Sequence, residues 1–390
     1  MKKFRKIVVI IILSFNFNLL IANEKINNIT FTNLLNIIKL KNNNEFENFR
    51  NSINFNFSLD NRTANNDSLL IIQDTLNKES RYNIHISKEE FIYADAPRYT
   101  ITGELPLKYT HIKPLNTAIV GATTLGIFIV QHELQQNSIW KRVGKFHFAE
   151  DIQYALWVDK FGHFYGSYLI GGIFNEALLD CGFSYDISNI LGGVLGLSYQ
   201  TYVEILDGMS VDWGFSPTDF YSDVVGSAFF VAQKYVPFLQ NFTPKYSYVN
   251  PKWIGEKDRI PHESFIDNYS AQNFWISINI RNIFGGAVRD FLPSWLQISV
   301  GYAAYSMCNP GNGNCNPNIS TPINNDVWGN RKIIIALDYD FVKMLPDGPP
   351  IWNWFKQTLN YFKFPAPAVE FSFEGKTKFY FLYPFKFSRP

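Results

Sequence analysis

Cysteine, methionine and charge are all sparse in this 390-residue sequence, which has 3 Cys, 4 Met and 18% charged residues. No CxxC pair or zinc-ribbon spacing occurs, so a cysteine-based metal site is excluded. The formal net charge is +1, from 35 basic and 34 acidic residues, and no basic stripe stands out. We therefore expect no nucleic-acid partner. The P-loop, the Rossmann glycine pattern, GxSxG and HExxH are also absent.

Aromatic residues are abundant, with 36 Phe, 21 Tyr and 9 Trp making up 17% of the chain. Such a content favours membrane-facing surfaces and aromatic-rich strands over an ordinary soluble enzyme. Residues 1–22 have a basic start followed by an apolar run, which is typical of an export signal, either cleaved or kept as an anchor. No cysteine follows this segment, which excludes lipid attachment there. We predict an exported, membrane-associated protein of the bacterial cell envelope, in either the inner or the outer membrane.

Composition divides the rest of the chain into three regions. Residues 23–105 are an Asn-rich lead-in with a predicted strand at Ser52 to Leu59, residues 106–245 have a helical pattern, and residues 246–390 are rich in predicted strands. The predicted fold class is α+β: a four-helix, membrane-associated or apolar bundle followed by a C-terminal antiparallel β-rich region.

The helical region contains four apolar stretches. They are predicted at Leu115 to Val130, Asp159 to Leu179, Ser184 to about Asp207, and Ser216-Pro217 to near Pro237. Ser216 suits the N-cap and Pro217 the first helical position, and Gly208 after Asp207 suits a C-cap. The apolar runs lie at the short end of the length that spans a bilayer, so both a membrane bundle and a soluble apolar bundle stay open.

Five strands are predicted in the last region, together with a short amphipathic helix at Trp352 to Phe362. The strands are Phe274 to Ile280, Leu296 to Tyr302, Lys332 to Phe341, Ala368 to Phe373 and Phe379 to Phe387. Closed membrane barrels need about eight strands, so we expect an antiparallel sheet packed on the bundle or on a membrane surface.

The three cysteines give two different signals. Cys308 and Cys315 flank a turn-forming stretch and are either a disulfide or two free thiols, whereas Cys181 ends an apolar helix as a buried thiol.

Ionisable residues recur at helical spacing inside the apolar helices. Asp159 and His163 share one face of the second helix, and the third and fourth helices carry two acids each, Glu204 with Asp207 and Asp219 with Asp223. Charges on apolar helices are costly unless they meet one another, a metal or water. We therefore predict one buried polar site, with His163, Glu204 and Asp223 within about 10 Å of one another, since packed helices lie 8–10 Å apart.

Two kinds of role suit these residues. In the catalytic interpretation His163 is an acid/base, Asp159 orients it and Glu204 assists, while Asp207, Asp219 and Asp223 ligate a metal. In the structural interpretation His163 belongs to the packing, Asp159 balances the helix dipole and Asp219 is a capping residue. A divalent cation is the cofactor that such acids would accept.

A family resemblance rests on the set of motifs rather than on any one of them. The series Asp159-Lys160-Phe-Gly-His163, Glu204-Ile-Leu-Asp207, Ser216-Pro-Thr-Asp219 and Asp223-Val-Val-Gly226 resembles the YfiM-like family of predicted envelope lipoproteins. It is also similar to the D-K-x-x-H, E-x-x-Q and D-x-x-x-N-x-x-G series of VanZ-like membrane proteins. Asp207 and Asp223 stand where VanZ-like chains commonly have Gln and Asn, which makes this site more acidic. The resemblance covers roughly residues 115–240 and implies a fold and a compartment rather than a reaction.

Two functions follow from these observations. The first is an envelope protein whose buried Asp/His/Glu site has a structural or binding role. The alternative is a membrane-associated, cation-dependent hydrolase acting on an envelope lipid or glycan. In both, the membrane is the expected partner.

Overall fold

A computed structural model describes residues 84–257, 267–313, 315–318, 320–323, 327–373, 375 and 377–385. These residues belong to one compact unit, Thr75–Pro390. The predicted export signal and the strand predicted at Ser52 to Leu59 lie outside the described residues. The description starts with a two-stranded hairpin of β1, Ile92–Tyr93, and β2, Ala96–Pro97.

Four long helices follow. They are α1, Pro114–Ser138; α2, Val158–Asp180; α3, Tyr185–Met209; and α4, Pro217–Tyr235. Ser184 caps α3 by accepting a hydrogen bond from the Ile187 amide, and Ser216 caps α4 in the same way through the Asp219 amide. Helix α3 includes Gly208, the predicted stop, and ends at Met209. A side chain at position 208 would meet the Phe146 ring at 2.5 Å. Gly208 therefore serves close packing rather than a C-cap.

Helices α2, α3 and α4 pack closely, and glycine makes this possible. A Cβ on Gly196 would lie 2.7 Å from the Ser167 carbonyl oxygen, and one on Gly226 would lie 2.1 Å from that of Phe164. The backbones of α3 and α4 thus approach α2 at positions where no larger residue fits.

Helix α1 stands apart from this group of three. It reaches α3 through side chains, with hydrogen bonds from Gln131 to Tyr199 and between His132 and Tyr202. By length and apolar composition, α1 is the one helix among the described residues that is able to cross a membrane, and none of its most apolar stretch is buried. The bundle therefore consists of three tightly packed helices and one peripheral helix.

The rest of the chain builds a six-stranded antiparallel sheet in the order β3-β4-β5-β6-β7-β8. Its elements along the chain are β3, Phe242–Tyr248; β4, Gln272–Ile278; α5, Ile280–Phe284; α6, Gly286–Phe291; β5, Leu296–Cys308; β6, Trp328–Tyr339; α7, Phe341–Met344; α8, Pro350–Thr358; β7, Ala366–Ser372; and β8, Thr377–Tyr383. The α+β class is confirmed. Sequence analysis missed β3, in which Pro244 interrupts the strand pattern.

The sheet is strongly curled. The rings of Trp275 on β4 and Tyr383 on β8 lie 5.7 Å apart, although three strands separate β4 from β8 in the sheet. The concave side encloses a core that includes Val249, Ile254, Tyr305 and Ile334. Part of the convex side packs on α2, where the Tyr165 ring stacks on Tyr246 and the Phe161 ring contacts Tyr302. The helices and the sheet therefore share an aromatic interface.

The structure has one of the two alternatives left open for Cys308 and Cys315, and it confirms the prediction for Cys181. Cys308 and Cys315 form a disulfide across the turn, and Cys181 is a buried free thiol.

Candidate functional site

Three helices each bring one ionisable side chain to a common point. The Nδ1 atom of His163 on α2 lies 3.1 Å from Oδ1 of Asp223 on α4, and its Nε2 atom lies 3.5 Å from Oε1 of Glu204 on α3. One ligand atom from each of these residues lies within 4.8 Å of the other two. The predicted convergence of His163, Glu204 and Asp223 is confirmed.

A second group shares His163. Asp159, His163 and Asp219 also place ligand atoms within 4.8 Å of one another. Lys160 neutralises part of this group, since its Nζ lies 2.9 Å from Asp159, 2.7 Å from Asp219 and 2.8 Å from Asp151. The first group, by contrast, has no lysine or arginine among its described contacts.

One backbone and one side-chain hydrogen bond fix the acids in place. Oε2 of Glu204 accepts a hydrogen bond from the backbone amide of Ser216 at 3.0 Å, so α3 holds the N-cap residue of α4. Oδ1 of Asp223 accepts a hydrogen bond from Nε2 of the Gln200 side chain at 3.1 Å. Among the described residues, no hydrogen-bond donor meets the buried Oδ2 of Asp223. An unpaired buried carboxylate oxygen is costly, so this atom calls for a proton or a ligand.

The basic residues of the site hold their charge. Burial lowers the pKa of His163, but the hydrogen bond to Asp223 and the charges of Asp219 and Asp159 outweigh it and raise this pKa well above its usual value. Burial also opposes the charged form of Lys160, and the carboxylates of Asp159 and Asp219 reverse the effect and raise its pKa. Both side chains are therefore cationic at neutral pH.

Most of the acids hold their protons more tightly than usual. Burial raises the pKa of Glu204 to about 9, and burial together with the charge of Asp159 raises that of Asp219 to about 8. The pKa of Asp223 is raised by burial, which the contact with His163 offsets in part. Asp159 is the exception: burial raises its pKa, but Lys160 and His163 bring it below the usual value. The site therefore retains protons at neutral pH that a bound cation would displace.

The charge balance explains these shifts. Two cationic side chains, Lys160 and His163, face five carboxyl groups, namely Asp151, Asp159, Glu204, Asp219 and Asp223. Full ionisation would leave three uncompensated negative charges at a site whose side chains are mostly buried. Protons or a bound cation must supply the missing positive charge.

Two acids near the helix ends, Asp207 and Asp212, lie outside the site. Asp207 accepts a hydrogen bond from the Trp140 indole at 2.5 Å and is in neither group of candidate ligands. Asp212, in the loop before α4, pairs with Arg142. Helical spacing placed Asp207 on the face next to Glu204, but it is turned toward the end of α1 rather than toward α2 and α4.

One contributor was missed from the sequence. Asp151 lies before α2 in an irregular segment, where no helical periodicity marks it. Lys160 was named within the Asp159-Lys160-Phe-Gly-His163 series, but its role as the partner of three acids was not predicted. The contact between Asp151 and Lys160 could not be predicted from their spacing of nine residues, because a bend in the chain brings the two side chains together.

The comparisons with known proteins agree with export. Residues 147–234, which include every site residue named above, match the model of a family described as predicted periplasmic lipoprotein (DUF2279). No curated protein and no solved structure matches the chain. The chain is thus similar to an envelope family, and it is an exported protein associated with the bacterial cell envelope. The first cysteine in the sequence is Cys181, which is buried.

Proposed function

We propose that this envelope protein binds a divalent cation between α2, α3 and α4, with His163, Glu204 and Asp223 as ligands. The observation that carries the proposal is the buried excess of carboxyl groups around one imidazole, with an oxygen of Asp223 that has no donor among the described residues. A cation would satisfy that oxygen and replace the protons of the acids, and it would also displace a proton from His163, because a ligating imidazole is neutral. It would also tie three helices together, which unites the binding role with the structural one.

The donor set favours a first-row divalent metal over Ca²⁺. One imidazole nitrogen with carboxylate oxygens suits Zn²⁺ or Mn²⁺ better than Ca²⁺, which prefers oxygen ligands alone. Asp159 and Asp219 are directed to Lys160 and belong to the surroundings of the site. This set differs from the acids assigned as ligands from the sequence, because it drops Asp207 and replaces Asp219 with Glu204.

A direct binding measurement tests the proposal. Metal-free full-length protein is titrated with Zn²⁺ and with Mn²⁺ in a calorimeter at constant pH, next to the Glu204→Gln variant. We expect one site in the wild type with release of protons, and a loss of affinity of at least tenfold in the variant. Equal binding by the two proteins, or no binding by either, would reject the site.

The second candidate function is hydrolysis of an envelope lipid or glycan. It is favoured by the pairing of His163 with Glu204, an acid whose pKa is raised to about 9 by burial. Such a pair can activate water and protonate a leaving group if the remaining carboxylates of the site, and not these two residues, hold the cation. Release of a headgroup or sugar from envelope extracts by the cation-loaded wild type, but not by His163→Gln, would support it. Equal release by both proteins would refute it.

We also propose that α1 attaches the protein to a membrane. Its apolar surface is unburied along its most apolar stretch, and it is long enough to cross a bilayer. The same location is implied by the YfiM-like and VanZ-like resemblances, which we retain as hypotheses resting on the spacing of Asp159, His163, Glu204 and Asp223.

A further inference from the structure

The sheet buries charged residues among the apolar ones on its concave side and exposes apolar residues on its convex side. Along β6, Lys332, Ile334, Ala336 and Asp338 are buried on the concave side, with Lys332 4% and Asp338 0% exposed. The alternate residues Ile333, Ile335 and Leu337 are 38–44% exposed on the convex side. A sheet that faces water on one side shows the opposite alternation.

The concave side satisfies its charges internally. Nζ of Lys245 on β3 lies 3.2 Å from a carboxylate oxygen of Asp338 on β6, and Lys332 lies between Glu256 and Glu370 at 3.6 and 4.0 Å. The hydroxyl of Tyr380 donates to Glu370 at 3.2 Å. These pairs are shielded from the medium outside the sheet, so the protein does not need water on its convex side to solvate them.

The convex side forms a continuous apolar surface. Strand register aligns Ile276, Val300, Ile335, Val369 and Phe379 in one row across five strands. A second row contains Ile333 and Phe371 and ends on β5 at Tyr302, which packs on α2. Phe379 and Phe381 on β8 are 71% and 73% exposed. Exposed apolar side chains that form one continuous patch mark a contact surface.

From this inverted pattern we infer that the convex side of the sheet, over β5 to β8, is a lipid-contacting surface that rests against the acyl chains of a membrane. Polar-inside, apolar-outside alternation is the arrangement of strands whose solvent is hydrocarbon. The protein is exported to the envelope, and the unburied apolar helix α1 belongs to the same compact unit as the sheet. Both observations favour a membrane close to the sheet. The inference goes beyond the cation site and does not depend on it.

The unpaired edge of the sheet limits how deeply the convex side enters the bilayer. Among the described residues no further strand pairs with the outer edge of β8. Unpaired backbone groups are too costly at the centre of a bilayer, whereas the interfacial zone still supplies water and headgroups to them. The surface therefore lies in the outer part of one leaflet rather than across the membrane.

Site-specific fluorescence tests this surface apart from α1 and from the cation site. Full-length protein carries a polarity-sensitive nitrobenzoxadiazole label on Phe379→Cys or, in a second variant, on Ile335→Cys. The matched control carries it on Glu89→Cys, an exposed position in the turn before β1. Each is mixed with phospholipid vesicles whose acyl chains bear a nitroxide quencher at a shallow or a deep carbon.

We expect blue-shifted emission and at least twofold stronger quenching by the shallow nitroxide at Phe379 and Ile335, with no change at Glu89. Water-like emission at both sheet positions in vesicle-bound protein would overturn the inference. A blue shift that appears without vesicles and grows with protein concentration would also overturn it, because the surface would then contact a second copy of the protein. A blue shift without vesicles that vanishes when residues 23–83 are deleted would overturn it too, because the surface would then contact this chain's own N-terminal region.

Discussion

Oδ1 of Asp223 lies 3.1 Å from Nδ1 of His163 and is the point at which three helices meet. His163 approaches it from α2 and the amide of Gln200 donates to it from α3 at 3.1 Å. The other oxygen of Asp223 has no donor among the described residues. A residue that is completely buried in this way must be protonated, be charged beside His163, or bind a cation, and each state has different consequences for stability.

Replacing Asp223 with Asn separates these states. Without metal, we expect Asp223→Asn to be as stable as the wild type or more stable, because it removes one of five crowded carboxyl groups. With Zn²⁺ at about a hundredfold excess over Kd, the wild type should gain about 2.7 kcal/mol in the free energy of unfolding and the variant should gain none. Thermal unfolding with and without chelator measures both. Asp212→Asn, which alters a surface pair with Arg142, is the control and should keep the gain. An equal gain in Asp223→Asn would show that this residue is not a ligand.

Lys160 is expected to be the most important stabilising charge of the site. Its ammonium group contacts Asp151, Asp159 and Asp219 and is 12% exposed, so Lys160→Met leaves three acids without their partner. Breaking a buried ion pair from one side costs about 3–5 kcal/mol. Denaturant unfolding of the metal-free protein measures the loss. The control is Lys113→Met, which removes a more exposed pair with Glu104 and should cost less than about 1 kcal/mol. Similar losses in the two variants would contradict the central place of Lys160.

Asp207 should make stability depend on pH. Burial raises its pKa to about 7, while in the unfolded chain it is about 3.9. The native state therefore holds a proton between these values that the unfolded state has released, so this contribution to stability is complete below about pH 3.9 and is lost as pH rises to about 7. Asp207→Asn abolishes this loss. The melting temperature of Asp207→Asn relative to wild type should be several degrees higher at pH 8 than at pH 4.5. A difference that is constant with pH would mean that Asp207 is already ionised at pH 4.5.

Close packing of α2 and α3 should be sensitive to a single methyl group. In Gly196→Ala the new Cβ would lie 2.7 Å from the Ser167 carbonyl oxygen and 2.8 Å from the Gly171 nitrogen, both of which are backbone atoms. We expect a loss of about 1–3 kcal/mol in the free energy of unfolding. Gly121→Ala in α1, where nothing lies within 4 Å, should be neutral or stabilising by up to about 1 kcal/mol. A stable Gly196→Ala would mean that the helices are able to move apart at this point.

Local signals in the sequence determined the helices and most of the strands. Helical spacing placed α2 within one residue of its observed bounds, and the Ser216-Pro217 pair identified the start of α4, because caps and periodicity act over a few residues. The same spacing predicted that His163, Glu204 and Asp223 meet, since charged residues on apolar helices have few other ways to be accommodated.

Only the tertiary structure decided which charges are partners. Asp207 faces Trp140 rather than the site, and Asp151 enters it from a segment without periodicity. The curvature of the sheet likewise placed Lys332, Asp338 and Glu370 inside and Ile333, Ile335 and Leu337 of β6 outside. Alternation along a strand shows that the two sides of a sheet differ. Which side is enclosed depends on long-range packing, because it is set by how the strands curl together and by what surrounds them.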